Sequence, residues 1–362
     1  MSFAASLRGM ETGLLSPFIG ILTDRLGTRK VLFAGGIASA IGLTLFAFTT
    51  SLVMFYGAFI LMAIGMSVYM VAPLVAIANW FKKNVGIATG IAICGTGFSG
   101  LMVPFITNLI STYEWRTAII ILAIGIVVII LPLSLVFRHK PEQSGYLPEG
   151  QRDITRTEIK AMEQPVKVNI GVREAIRNSI FWRLGLSYIY LAIVINAVVT
   201  HVMPYLSSVG ISRSSSSLVA MGLPLVSVVG RVGFGWLGDR YNRKGIASAG
   251  FVIMGLGMLC FGYTFAGSAW LLIPFLVFLG VGYGGEISLR PALAAEYFGR
   301  AHFGSVFGLL VGIASLGGIL GPTLAGWSYD NWGAYQGIWY LFAGLAMIAV
   351  VLLLSLPRSY QP

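Results

Sequence analysis

One loop signature occurs twice in this chain, about 215 residues apart. Residues 20–30 read GILTDRLGTRK, and residues 235–245 read GWLGDRYNRKG. Gly20, Asp24 and Arg25 superpose on Gly235, Asp239 and Arg240 at one fixed spacing. Each copy follows an apolar segment and precedes another, so a short charged hairpin joins two membrane helices, and does so twice. Such a chain is a duplicated membrane protein, and two matched halves imply rocking around a central site.

Composition agrees. The 362 residues are 57% hydrophobic and only 10% charged, against about 25% charged in soluble domains. Apolar runs of about 20 residues recur, each long enough to cross a bilayer as a helix. They are continuous and lack alternation, which excludes a barrel. The net charge of +11 does not indicate nucleic acid. All but five of the 24 Lys and Arg fall in alternate short loops or tails, the positive-inside bias of a multi-pass protein in the cytoplasmic membrane. Arg116 and Arg213 fall outside; Arg8, Arg231 and Arg290 fall within spans. Cys94 and Cys260 lie in apolar spans with neither metal nor disulfide spacing, so no metal site and no cofactor are expected. The first residues do not read as a cleavable signal.

The runs predict helical spans at roughly 3–23, 31–50, 53–79, 86–110, 117–137, 182–204, 216–237, 246–265, 270–297, 304–326 and 336–356. The polar stretch from Arg138, with Pro141, Pro148 and Pro165, reads as a cytoplasmic linker. A short surface helix is expected within it near Thr155–Met162. This divides the chain into a five-span bundle at 1–137, a linker at 138–178 and a six-span bundle at 179–362. The repeat continues through both halves. Gly86, Gly90, Gly100 and Pro104 match Gly304, Gly308, Gly318 and Pro322 at a spacing of 218, and Trp115 matches Trp332 at 217. Glycine at four-residue spacing lets helices approach closely. Asp239 stands roughly 58 residues after the sixth span begins, whereas Asp24 has 23 residues before it. An N-terminally shortened form of a twelve-helix architecture is therefore expected.

These loops resemble the signature that the major facilitator superfamily carries between its second and third helices, and again between its eighth and ninth. The resemblance covers essentially the whole chain. It implies an all-α membrane fold of two pseudo-symmetric bundles, with about eleven transmembrane helices here and family helix 1 missing. Residues 79–100, NWFKKNVGIATGIAICGTGFSG, are similar to the fifth-helix region of the monocarboxylate porters and oxalate/formate antiporter-like proteins. Residues 138–150, RHKPEQSGYLPEG, and 296–308, EYFGRAHFGSVFG, are similar to the same branch. The oxalate-type members use a lysine in family helix 11, and the span at 304–326 has none, a departure that argues against a dicarboxylate.

Arg231 is the sharpest candidate for chemistry. It lies eight residues before Asp239, hence roughly 12 Å inside a core about 30 Å thick. A guanidinium there costs at least about 2.5–3.5 kcal/mol unless it is paired or hydrated. No acid stands three or four residues away on its helix. A substrate carboxylate would supply the missing charge, and the resemblance implies a carboxylate-binding arginine on family helix 8. The alternative is an arginine paired across helices. Glu286 and Arg290, one turn apart, are expected to pair, either serving substrate binding with Glu286 a proton-coupling site or fixing bundle packing as a structural pair. His201 is a second proton-coupling candidate. Asn196 and Tyr69 are candidate cavity-lining residues, each about equally expected in core or lipid contact. Arg8 and Glu11 are expected to pair near the outer surface. Gly20, Asp24, Arg25, Arg29, Gly235, Asp239, Arg240 and Lys244 form the expected cytoplasmic gate, the carboxylates capping helix N-termini and the cations meeting helix C-termini. The glycine run 282–285 has no preceding strand and reads as helix packing, not nucleotide binding.

No enzyme motif is present. The sequence points to secondary transport of small monocarboxylates, coupled to protons or to a counter-anion, by a protein acting as a monomer in the lipid bilayer without nucleic acid. The rivals are an efflux antiporter for amphiphilic cations and a non-transporting membrane sensor or scaffold.

Overall fold

The computed structural model describes residues 2–81, 83–141 and 171–357, of which nearly all are helical. The first half comprises α1 (Ser2–Leu26), α2 (Thr28–Ala47), α3 (Leu52–Trp80), α4 (Val85–Gly97), α5 (Val103–Gly125) and α6 (Leu131–Val136). A short helix α7 (Val172–Arg177) follows the linker. The second half comprises α8 (Ser179–Ser208), α9 (Arg213–Arg240), α10 (Arg243–Gly262), α11 (Leu272–Phe298), α12 (Phe303–Trp332) and α13 (Gln336–Leu354). Among the described residues, nine helical stretches are long and apolar enough to cross a membrane. With α1 and the segment that begins with α4, the described residues hold eleven candidate crossings.

Local chemistry sets the helix ends. Ser51, Asn178, Ser212 and Asn242 precede α3, α8, α9 and α10, and each side chain accepts a backbone N–H of the first turn, which satisfies a donor the helix leaves over. Gly333 closes α12 at φ 65°, a conformation open to glycine at no cost. At the C-terminal end of α13, Arg183 donates to the Ser355 carbonyl at 2.5 Å and Lys244 Nζ to the Leu356 carbonyl at 2.8 Å. Both place cations where the helix dipole is negative.

Two span expectations are corrected. The fourth span is not one α-helix: after Gly97 it tightens into a 3-10 turn over Phe98–Met102 and resumes as α5. Its partner α12 runs unbroken through the matching positions. The break expected between the spans at 86–110 and 117–137 falls inside α5 at Glu114, whose φ of 66° and ψ of 159° are not helical. The sixth span begins at Ser179, earlier than 182, because Asn178 caps it. The expected helix near Thr155–Met162 and the Arg8–Glu11 pair lie outside the described residues and side chains.

Lipid tails are as apolar as leucine, so small residues and polar ties hold helices together here, rather than burial from water. The outward surface accordingly keeps large apolar side chains, such as Phe18 and Ile273, each more than two-thirds exposed. Inside the second half, Tyr205, Phe261, Phe275 and Trp339 are fully buried, and the Tyr205 hydroxyl donates to the Phe261 carbonyl at 2.7 Å. The glycine run 282–285 packs α11 on α9 and α10: a Cβ on Gly282 would lie 2.6 Å from Met254, and one on Gly285 would strike the Phe234 ring. The two halves meet crosswise, α1 against α12 and α4 against α9.

Candidate functional site

At one rim of the molecule each repeated loop reaches into the opposite half. Asp24, at the end of α1, accepts the backbone N–H groups of Gly304 at 3.0 Å and Ser305 at 2.7 Å, and the Ser305 hydroxyl at 2.7 Å. Asp239, at the end of α9, accepts those of Gly86 at 2.9 Å and Ile87 at 2.8 Å. So one carboxylate caps α12 and the other caps α4, two charge-assisted caps. The glycines make room for them. A Cβ on Gly86 would sit 2.5 Å from the Gly235 carbonyl, and one on Gly304 2.7 Å from that of Gly20. Arg25 and Arg29 are exposed. Arg240 lies over the Trp236 ring at 4.2 Å, while Lys244 caps α13 as described.

Behind the carboxylates the halves differ. Arg243 bridges Asp239 at 3.4 Å and Glu296 at 3.2 Å. The matching positions in the first half are the neutral Thr28 and Asn79, and both bond to His139 at the start of the linker. His139 Nδ1 accepts the Thr28 N–H at 3.3 Å and lies 3.0 Å from its hydroxyl, and Asn79 Nδ2 donates to the His139 carbonyl at 3.2 Å. Burial and the nearby Lys140 hold this imidazole below its ordinary range, and Asp24 pulls it up. The sequence reading missed Arg243 and His139. Arg243 was visible as a cation four residues after Asp239; no local pattern marks His139.

Arg231 lies in the C-terminal half of α9 on the face that meets α4, and is 2% exposed. Its Nη1 donates to the Ile93 carbonyl and, at 2.5 Å, to Thr96 Oγ1. Its own carbonyl accepts the Ser288 hydroxyl at 2.8 Å, and Nε has no partner. Among the described residues the only ion pairs are those of Arg243, so Arg231 is a buried guanidinium held by neutral oxygens. Its tie to α4 was not foreseen, since a backbone acceptor leaves no trace in sequence.

The expected Glu286–Arg290 ion pair does not form. Glu286 is 1% exposed and points at α10, with Oε1 against Gly250 and without a hydrogen-bond partner. Arg290 turns to α8 instead: its guanidinium lies 4.6 Å over the Tyr188 ring and Nη2 is 3.4 Å from the Tyr188 carbonyl. The aromatic face and the helix-packing glycine compete successfully with the one-turn pairing. His201 joins α8 to the outer end of the bundle, with Nε2 3.0 Å from the Pro322 carbonyl and Nδ1 3.3 Å from the Tyr335 hydroxyl. Asn196 is exposed, donates to Ala192 on its own helix at 2.8 Å and faces Gly318. Tyr69 presses its hydroxyl toward Gly36 on α2. The structure therefore gathers Arg231, Thr96 and Ile93 at the crosswise contact, places Glu286 and Arg290 within the second half, and leaves His201, Asn196 and Tyr69 apart from them.

Comparison with known proteins accords with this geometry. Monocarboxylate transporter 12 of Xenopus laevis is 26% identical over 370 residues, covering 98% of this chain and 79% of the relative. Human monocarboxylate transporter 2 is 24% identical over 347 residues, covering 92% and 72%. In fold, the chain is similar to the E. coli fucose:proton symporter FucP, with a TM-score of 0.74 at 12% identity, covering 99% of this chain and 91% of that one. It is also similar to the human organic anion transporter MFSD10, with a TM-score of 0.71 at 15% identity, covering 97% and 83%. The Major Facilitator Superfamily profile matches residues 1–223 and 197–362, and with the crosswise rim and the repeated halves it places this chain in the major facilitator superfamily.

Proposed function

We propose that this chain is a secondary transporter of small monocarboxylates in the cell membrane, working as a monomer. The observation that carries this reading is Arg231: a guanidinium 2% exposed, at membrane depth, with no ion pair among the described residues. A carboxylate would neutralise it and match its planar fork with two parallel bonds, supplying the opposite charge that neutral acceptors lack. The relatives' names point to the same substrate class. In this reading residues 1–137 and 179–362 rock against each other, joined by 138–178, and the Asp24 and Asp239 caps favour the state closed at the cytoplasmic rim. Glu286, desolvated and without an ion-pair partner, is the position where a coupled proton is taken up and released. Arg290 tunes that position through Tyr188.

The test is binding of small carboxylates to purified protein, read by calorimetry. A ligand at 100 times its dissociation constant should stabilise by about 2.7 kcal/mol. Arg231→Lys keeps the charge but loses the planar fork, so it should weaken binding; Arg231→Ala should abolish it. If Arg231→Ala binds a carboxylate as tightly as the parent, the anion site is wrong, and a response to amphiphilic cations would put efflux first. In proteoliposomes, Glu286→Gln should remove the dependence of uptake on a pH gradient. Uptake by Glu286→Gln that still follows the gradient would assign coupling elsewhere, or to anion exchange.

A further inference from the structure

Arg231 does not stand with its hydrogen bonds unmade. Two oxygens of α4, the Ile93 carbonyl and Thr96 Oγ1, both accept from its Nη1. These oxygens are themselves joined, because the Thr96 hydroxyl donates to the Ile93 carbonyl at 2.9 Å. They thus form a compact two-oxygen edge facing one guanidinium, as the edge of a carboxylate does, but without charge. The backbone here is packed close. A Cβ on Gly97 would lie 3.1 Å from the Pro224 carbonyl of α9 and 3.6 Å from Arg231 Nη1. Thr96 itself is exposed while Arg231 is buried, so of the two groups Thr96 is the one reached from outside; Tyr283 also bonds to the arginine.

We infer that Thr96, with the Ile93 carbonyl, is an internal surrogate for the substrate carboxylate: it holds Arg231 and closes the contact between α4 and α9 until an anion displaces it. This rests on the carboxylate reading of Arg231. The displacement follows from charge: the guanidinium is already ionised, so its bonds to the two neutral oxygens are charge-assisted, and a carboxylate adds an opposite charge whose attraction is strong in a buried, low-dielectric site. A carboxylate outcompetes a hydroxyl and a carbonyl for the same donor, and a neutral molecule of the same shape does not. The surrogate belongs to the first half of the chain and the arginine to the second. Exchanging one for the other therefore breaks a tie between the halves at the moment substrate arrives. Thr96 is thereby a positioning residue whose removal should favour the ligand.

The experiment measures dissociation constants of propionate, pyruvate and lactate, with propionamide as the neutral control, for the parent, Thr96→Val, Thr96→Ser, Arg231→Lys and Arg231→Ala. Thr96→Val keeps the shape and removes the acceptor, so the carboxylate constants should fall by about threefold or more, while propionamide stays unbound. Thr96→Ser restores the hydroxyl and should return the constants to the parent value, which a role in packing alone does not predict. Arg231→Lys guards against loss of folding in Arg231→Ala and should bind more weakly than the parent. Unchanged or weaker carboxylate binding by Thr96→Val, with Arg231→Ala inactive, overturns the surrogate and leaves the arginine site standing. No carboxylate binding by the parent, or parent-like binding by Arg231→Ala, overturns the arginine reading and this inference with it.

Discussion

Gly86 and Gly235 fix how closely α4 and α9 meet at the rim, because each presents bare backbone to the other. An alanine at 86 would force the helices apart or push its methyl into the Gly235 carbonyl, and overpacking of this kind costs about 1–3 kcal/mol. Gly86→Ala should therefore lower the melting temperature in detergent. Gly245→Ala, where a Cβ meets nothing within 4 Å, should stay within about 0.5 kcal/mol of the parent; equal melting of the two would show that the glycine contact carries no stability. Asp24 and Asp239 act at the same scale. Asp24→Asn keeps an acceptor but loses its charge, and a lost cap costs about 1 kcal/mol. Asp239→Asn should cost more, because Arg243 then keeps only Glu296 as an ionised partner. A smaller melting shift for Asp239→Asn than for Asp24→Asn would contradict this ordering.

Whole elements meet the membrane's demand that backbone groups be satisfied, and here the linker takes part. By docking on Thr28 and Asn79, His139 ties the end of the fifth crossing to the first repeated loop, at the place where the second half uses Arg243. The Nδ1 atom accepts the Thr28 N–H, so this contact requires an unprotonated Nδ1. The docked imidazole titrates below its ordinary range, which for a free histidine lies near 6.5. The docked state thus binds fewer protons than the undocked one, and its stability rises with pH. That contribution is complete above about pH 6.5 and is lost as pH falls through the lowered value. Melting of the parent should fall more steeply between pH 7.5 and 5.5 than melting of His139→Gln, whose amide keeps an acceptor without titrating. Parallel curves would remove His139 from the account.

Across the whole molecule, the crosswise caps require both repeated loops on one membrane face. Single cysteines replacing Arg29 and Asn242, both exposed, should react with an impermeant thiol reagent only from the cytoplasmic side, in a background with Cys94 and Cys260 replaced. Labelling of the two from opposite sides would defeat the topology. The same geometry explains why this rim is built around Gly20, Asp24, Gly235 and Asp239 while the large apolar side chains face outward. The close contacts that specify the assembly are between backbones and small residues, and the surface needs only to match lipid.

The sequence alone determined the helical membrane architecture, and the reason is periodicity: apolar spans and glycines at one repeating interval are local properties of the chain, and only the fourth span departed, tightening after Gly97. It also marked Arg231, because depth in a membrane can be counted from the loop at Asp239. Tertiary structure decided the partners. Glu286 and Arg290 stand one turn apart, yet the pair lost to the Tyr188 ring and to the space beside Gly250, neither of which lies near them in sequence. Arg231 found the Ile93 carbonyl, an acceptor that any residue at that position would have offered. Thr28 and Asn79 look unremarkable until the fold brings His139 between them. Which groups could reach one another depended on how the halves crossed, and that crossing is set by contacts more than 130 residues apart.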